Sequence, residues 1–148
     1  MKYLLDSAAM KKIDEYSIKT TGIPSVVLME RAALSVSSFV EKLAYNKKDS
    51  GKKDISICVV CTKGNNGADG LAAIRQLYLH GYKTLVYGNA SWLSNDIQVN
   101  KIDSDIWLAS YSDTLTYKKA FTMWQYTQKG SVDGISGSVD IDLYIQEK

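Results

Sequence analysis

At 148 residues the chain has the length of one domain, enough to bury roughly 70% of the surface its unfolded form would expose. Its 45% hydrophobic and 23% charged residues suit a soluble globular protein, and a net charge of +2 is too small to recommend nucleic acid or a membrane surface as a partner. No apolar run approaches the roughly 18 residues of a spanning helix, and "MKYLLDSAAMKKIDEY" meets Asp6 after only two leucines, which is no secretory segment, so a cytoplasmic location is expected.

The spacing of Met10, Ile13 and Ser17 predicts a short helix over 7–19 with Ser7 as its N-cap. Thr20–Gly22 breaks it. A second helix is predicted from Pro24–Ser25, with Met29, Ala32, Ala33, Val36, Val40 and Leu43 as one apolar stripe. The Lys-rich stretch 45–54 reads as a solvated loop. "DISICVVC" reads as a strand buried on both faces, 55–61, with Cys58 and Cys61 as core thiols facing opposite sides rather than a redox pair.

The segment "TKGNNGADG" then leads into a helix predicted over 69–80, and Gly81 ends it. His80, the one histidine, suits the helix end better than catalysis, which excludes His-based triads and multi-His metal sites. "KTLVY", 83–87, is the next strand, giving a parallel β-loop-α-β unit. Beyond Tyr87 the texture changes. Short aromatic strands at 105–111 and 121–127, and a fifth at 138–144, are separated by polar loops with no amphipathic helix between them. These five strands leave open edges, and a sheet face carrying Trp107, Trp124 and Tyr126 is expected to be thinly covered, so a homodimer or larger homo-oligomer is predicted.

The loop at 62–70 is the first candidate site. Gly64, Gly67 and Gly70 allow tight turns, and Asn65 and Asn66 offer amides and tolerate left-handed backbone. The loop joins the end of a strand to the start of a helix, where free N–H groups and the helix dipole favour an anion. Asp69 is placed to cap the helix or to hold a cation or a ligand hydroxyl. The spacing matches neither the dinucleotide fingerprint nor the P-loop.

"GIPSVVLMERAA" (22–33) followed by "VVCTKGNNGADGLAAIRQLYLHGY" (59–82) resembles the YjeF N-terminal domain, the NAD(P)HX epimerase family. The resemblance covers about 5–87. It implies a Rossmann-like α/β/α sandwich and the epimerisation of hydrated NADH or NADPH. It places the substrate phosphates on Gly64, Asn65, Asn66, Gly67, Ala68 and Asp69, and a potassium ion near Asn66. Ala68 stands where the family usually has Gly, and Arg31 where Asn is common. The strand end that carries the family's catalytic Asp is not matched; "VDGISG" at 132–137 only echoes it.

The tail, "DIWLASYSDTLTYKKAFTMWQYTQKGSVDGISGSVDIDLY", resembles the carboxyl-terminal end of family 25 glycoside hydrolases, the cellosyl-type lysozymes, over about 80–144. That resemblance implies the helix-poor last strands of an irregular (β/α)-barrel. Trp124, Gln125 and Tyr126 would form a vestigial sugar face, and Asp140 matches a late active-site carboxylate. Glycoside hydrolysis needs a positioned pair of carboxylates, and the earlier barrel strands that supply them have no counterpart here.

Taken together, these readings give an α/β chain of one hybrid domain, 1–148. An epimerase-like half sandwich, 1–85, is continued by a lysozyme-like segment, 86–148, in one mixed or parallel sheet. The function expected is that of a recombined, engineered or selected chimera without native catalytic activity and with no required cofactor, retaining weak phosphate or nucleotide binding at the Asn-rich loop. The alternatives are an NAD(P)HX epimerase-like nucleotide binder and a peptidoglycan-binding muramidase fragment.

Overall fold

The computed structural model describes residues 4–45 and 55–145; most of the Lys-rich stretch at 45–54 lies outside them. Three helices and five strands follow in chain order: α1 (Ser7–Lys19), α2 (Ser25–Tyr45), β1 (Ser56–Val60), α3 (Asn65–Leu79), β2 (Lys83–Asn89), β3 (Asp105–Ala109), β4 (Met123–Gly130) and β5 (Val139–Tyr144).

Helix α1 has its predicted bounds but a different cap. The Asp6 carboxylate, not Ser7, accepts the Ala9 N–H at 2.7 Å. None of its residues is buried, so the Met10–Ile13 face does not serve as a core face. Helix α2 begins after Pro24 as expected, but its apolar stripe divides. Ala33 and Ala44 are buried beside α3 residues, whereas Ala32, Val36 and Leu43 point to solvent.

The sheet runs in the order β1-β2-β3-β4-β5, parallel through β4, with β5 antiparallel on its edge. This is the mixed α/β sheet that the alternation of periods predicts. Strand β1 is an edge rather than a doubly buried strand, because nothing among the described residues pairs with its outer side. Its residues alternate between exposed and half-buried, and Val60 is 65% exposed. Cys61 is fully buried in the core, but Cys58 on the opposite side is exposed, so only one of the two is a core thiol. Burial, and then its neighbour Cys58, push the Cys61 thiol up to about 11, which keeps it protonated and unreactive.

One sheet face carries Val86, Ile106 and Leu108, all buried, and Trp124, half-buried against them. Helix α3 covers it over β1 and β2 through Leu71 and Ile74. Farther along, no ordinary helix lies on it. A π-helical turn, Trp92–Asp96, and a 3-10 turn, Val99–Lys101, supply Leu93, Ile97 and Val99 instead, and the loop before β4 adds Tyr117 and Phe121. The texture change after Tyr87 is therefore real, with short irregular turns in place of a helix. Helix α2 packs on α3 as an outer layer. Among the described residues, no helix packs on the second sheet face.

Candidate nucleotide site

Helix α3 begins at Asn65, four residues earlier than its sequence predicts, so Asn65, Asn66, Gly67, Ala68 and Asp69 form helical turns rather than a loop. The true connection is short, Cys61–Gly64. Gly64 is the N-cap with φ of 100°, a value that a side chain would strain, and no side chain caps the helix. The first backbone bond of this helix runs from the Ala68 N–H to the Gly64 carbonyl at 3.1 Å. The N–H groups of Asn65, Asn66 and Gly67 precede it and have no acceptor within the helix.

No acidic residue stands in the first turn, and Lys63, next to it, makes only a long ion pair with Asp96, 4.0 Å. The helix start thus keeps its positive end open to an anion. Asn65 and Asn66 are exposed there, whereas Gly67 is buried against the connection. A Cβ at Gly67 would lie 1.8 Å from the Thr62 carbonyl oxygen, so this glycine holds helix and connection in contact. A groove of about 600 Å³ runs from Ala68 along α3 to Ile102. Its floor includes Leu71 and Ala72, and its rim carries Arg75, whose Nη2 lies 2.6 Å from both carboxylate oxygens of Glu30.

A potassium ion requires a shell of converging oxygens. Asn66 is exposed on one helical turn, and no cluster of three or more His, Cys, Asp or Glu side chains able to hold a metal occurs among the described residues. His80 caps α3, as expected, and its Nδ1 lies 2.9 Å from Glu41.

The structure does not bring Trp124, Gln125 and Tyr126 onto one surface, because neighbours in a strand face opposite ways. The Trp124 ring packs into the core, with its Nε1 donating to the Ser110 carbonyl at 2.9 Å, and Tyr126 meets it edge-on. Trp107 is on the other face, so the expected thinly covered face does not hold Trp107, Trp124 and Tyr126 together.

Gln125 points to the helix-free face, where sequence reasoning missed a polar-aromatic network. The Tyr87 and Tyr111 hydroxyls both donate to Gln125 Oε1, at 2.7 and 2.5 Å, and Trp107 Nε1 donates to Asp142 Oδ1 at 2.7 Å. The alternation of Tyr87, Trp107 and Gln125 with core residues was its available signal. Asp140 is an exposed residue of β5 whose charge reaches Tyr87.

Tyr87 is pushed up to about 12, first by burial, then by Tyr111 and the charges of Asp140 and Asp142. A raised folded-state value means that this stabilisation is complete below pH 10 and is lost as pH rises toward 12, where the unfolded chain ionises first. The urea midpoint is expected to fall over that range more steeply than in Tyr87→Phe. Parallel slopes for the two proteins would assign the alkaline loss to other groups.

The family model described as YjeF-related protein N-terminus matches residues 25–144. An NAD(P)H-hydrate epimerase of Limosilactobacillus reuteri is 36% identical over 121 residues, covering 79% of this chain and 54% of that protein. Another, of Anaerococcus prevotii, is 39% identical over 99 residues, covering 66% of this chain and 41% of that protein. The chain thus spans about half the length of the curated relatives it matches. Among solved structures, the yeast protein YNL200c superposes with a TM-score of 0.58 at 23% identity, covering 72% of this chain and 47% of that one, which shows a shared fold.

The CTP1L endolysin reaches a TM-score of only 0.42 at 21% identity, covering 65% of this chain and 36% of that one, too loose a superposition to carry an argument about the tail. The expectation of an inactive recombined chimera is corrected by these findings. The family match crosses the supposed seam near 82–87 and continues to residue 144, and the relatives are named as epimerases. The chain belongs to the family of YjeF-related protein N-termini.

Proposed function

We propose that the chain binds hydrated NADH or NADPH with its phosphates on the start of α3, and that its reaction is epimerisation of the hydrate. The observation that carries this reading is the uncapped helix start, with the N–H groups of Asn65, Asn66 and Gly67 ahead of the first helical bond and no acidic residue in the first turn. The relatives' name, NAD(P)H-hydrate epimerase, supplies the substrate class. The groove that starts at Ala68 offers Leu71 and Ala72 to the ring face of a base and polar groups such as Gln98 and Ser104 to its edges or to a ribose. Asp69, half-buried on the second turn, is the carboxylate nearest in sequence to the phosphate contacts and would hold a substrate hydroxyl.

Two measurements test the proposal together. Titration with NADP should shift the amide resonances of Asn65, Asn66, Gly67 and Ala68 and leave those of β5 in place. Chromatographic separation of the two hydrate epimers should show faster interconversion with the protein than without it. Binding without acceleration would reduce the reading to a nucleotide site, and unmoved amides at low ionic strength would overturn it.

A further inference from the structure

We infer, on the reading that nucleotide phosphates sit at the start of α3, that Lys63 is a further phosphate-binding residue, held in reserve by Asp96 and turned to the phosphates by the arriving nucleotide. Lys63 stands one residue before Gly64, the N-cap of α3, so its side chain leaves the backbone beside the free N–H groups of Asn65, Asn66 and Gly67. It is the cation placed to join them. Arg75 is committed to both carboxylate oxygens of Glu30 at 2.6 Å, and Lys101 lies at the far end of the groove, next to Ile102. Backbone N–H groups at a helix start offer only partial charge. The two bridging phosphates of a dinucleotide bring full negative charges, and a mobile ammonium with three donors answers one of them outright.

Asp96 is the counter-ion that the ligand displaces. Its Oδ1 lies 4.0 Å from Lys63 Nζ, beyond hydrogen-bond length, so the two attract by charge alone. The side chains are 40% and 73% exposed, Asp96 and Lys63 in turn, and an ion pair so open to water is easily exchanged. The lysine is the partner that moves. Asp96 ends the π-helical turn Trp92–Asp96, which is fixed by Asn89 Oδ1 at the Trp92 N–H and by the Ile97 N–H at the Trp92 carbonyl. Lys63 instead extends from the short Cys61–Gly64 connection on a flexible four-carbon stem. Asp96 also lines the groove that starts at Ala68, so a nucleotide reaching from the helix start into the groove lies beside it. The phosphates take the ammonium from Asp96 and are repelled by the carboxylate left behind. Asp96 therefore weakens nucleotide binding twice, once through Lys63 and once directly.

The test is titration with NADP at low ionic strength, followed at the amides of Asn65, Asn66, Gly67 and Ala68. Lys63→Ala should weaken binding roughly tenfold, the size of a lost charge-assisted hydrogen bond, and Lys63→Arg should keep it within about threefold. Asp96→Asn should strengthen binding about threefold or more, because it frees the lysine and removes the repulsion. In the Lys63→Ala background only the repulsion is left to remove, so the same change should gain at least about twofold less. Salt at about 0.5 M should narrow all these differences. Urea midpoints should stay near that of the wild type, since neither side chain is buried. Lys63→Ala that binds as tightly as the wild type overturns the inference. So does an equal gain from Asp96→Asn in both backgrounds, which would leave Asp96 acting without Lys63. In either case NADP still moves the helix-start amides and the phosphate site stands. NADP that moves none of them in the wild type overturns the site and the lysine's role together.

Discussion

Gly67→Ala is expected to cost at least about 3 kcal/mol, the upper end of overpacking losses, and to abolish NADP binding under conditions where the protein still folds. The reason is steric. An added Cβ would lie 1.8 Å from the Thr62 carbonyl oxygen and 2.9 Å from its carbonyl carbon, both backbone atoms that cannot rotate aside. Relief requires the Cys61–Gly64 connection to lift from α3, which moves the N–H groups of Asn65 and Asn66 away from their shared anion position. Gly134→Ala is the matching control. Its φ of 87° is unfavourable for alanine, but nothing lies within 4 Å of the added atom, so only the local strain of about 1–2 kcal/mol applies. Gly67 itself has ordinary helical angles, so equal losses of denaturation midpoint in the two variants would show that the close approach to Thr62 is absent.

The contrast between these glycines shows what the sequence discloses and what it withholds. A Gly-Asn-Asn-Gly stretch between an apolar strand and a helical period marks a tight β-to-α connection, because few other residues make that turn. The parallel β1–β2 unit, the five strands and the cap at His80 were legible by the same local rules. The start of α3 was not. Asparagine and glycine favour turns, yet Asn65–Gly67 are helical, with Gly67 lying close against Thr62 of the connection.

Side-chain direction was legible only as alternation. The period of two separates Gln125 from Trp124 and Tyr126, but only strand order sets Gln125 beside Tyr87 and Tyr111. In α2 the apolar residues divide between two faces, and a pattern of hydrophobicity does not state which one the chain itself covers. Nor did the aromatic tail disclose its lineage. Short aromatic strands with Gly-rich turns are local features that do not single out one family, whereas the family match is carried by order over 25–144.

Leu93→Ala is the second large loss expected, about 4 kcal/mol, within the range for large-to-small changes at fully buried leucines. Leu93 has no exposed surface and sits in the cluster with Val86, Ile106 and Leu108. It occupies the space where a helix between β2 and β3 would otherwise lie. Gly88 admits it, since a Cβ there would come within 3.2 Å of the Leu93 side chain. The cost depends on whether the turn can collapse into the cavity, and here it is pinned at both ends. The Trp92 N–H donates to Asn89 Oδ1 at 2.9 Å, the Ile97 N–H donates to the Trp92 carbonyl at 2.8 Å, and Ile97 and Val99 enter the same core. The cavity therefore stays open, and the upper half of the range applies. Leu93→Met, which nearly conserves volume, should lose less than about 1.5 kcal/mol. Against total stabilities of roughly 5–15 kcal/mol, the alanine variant should unfold at much lower urea, while Leu79→Ala on the exposed side of α3 moves the midpoint little. A loss below about 1 kcal/mol in Leu93→Ala would mean that the irregular turn floats over the sheet and that β3 and β4 are held by their strand pairing alone.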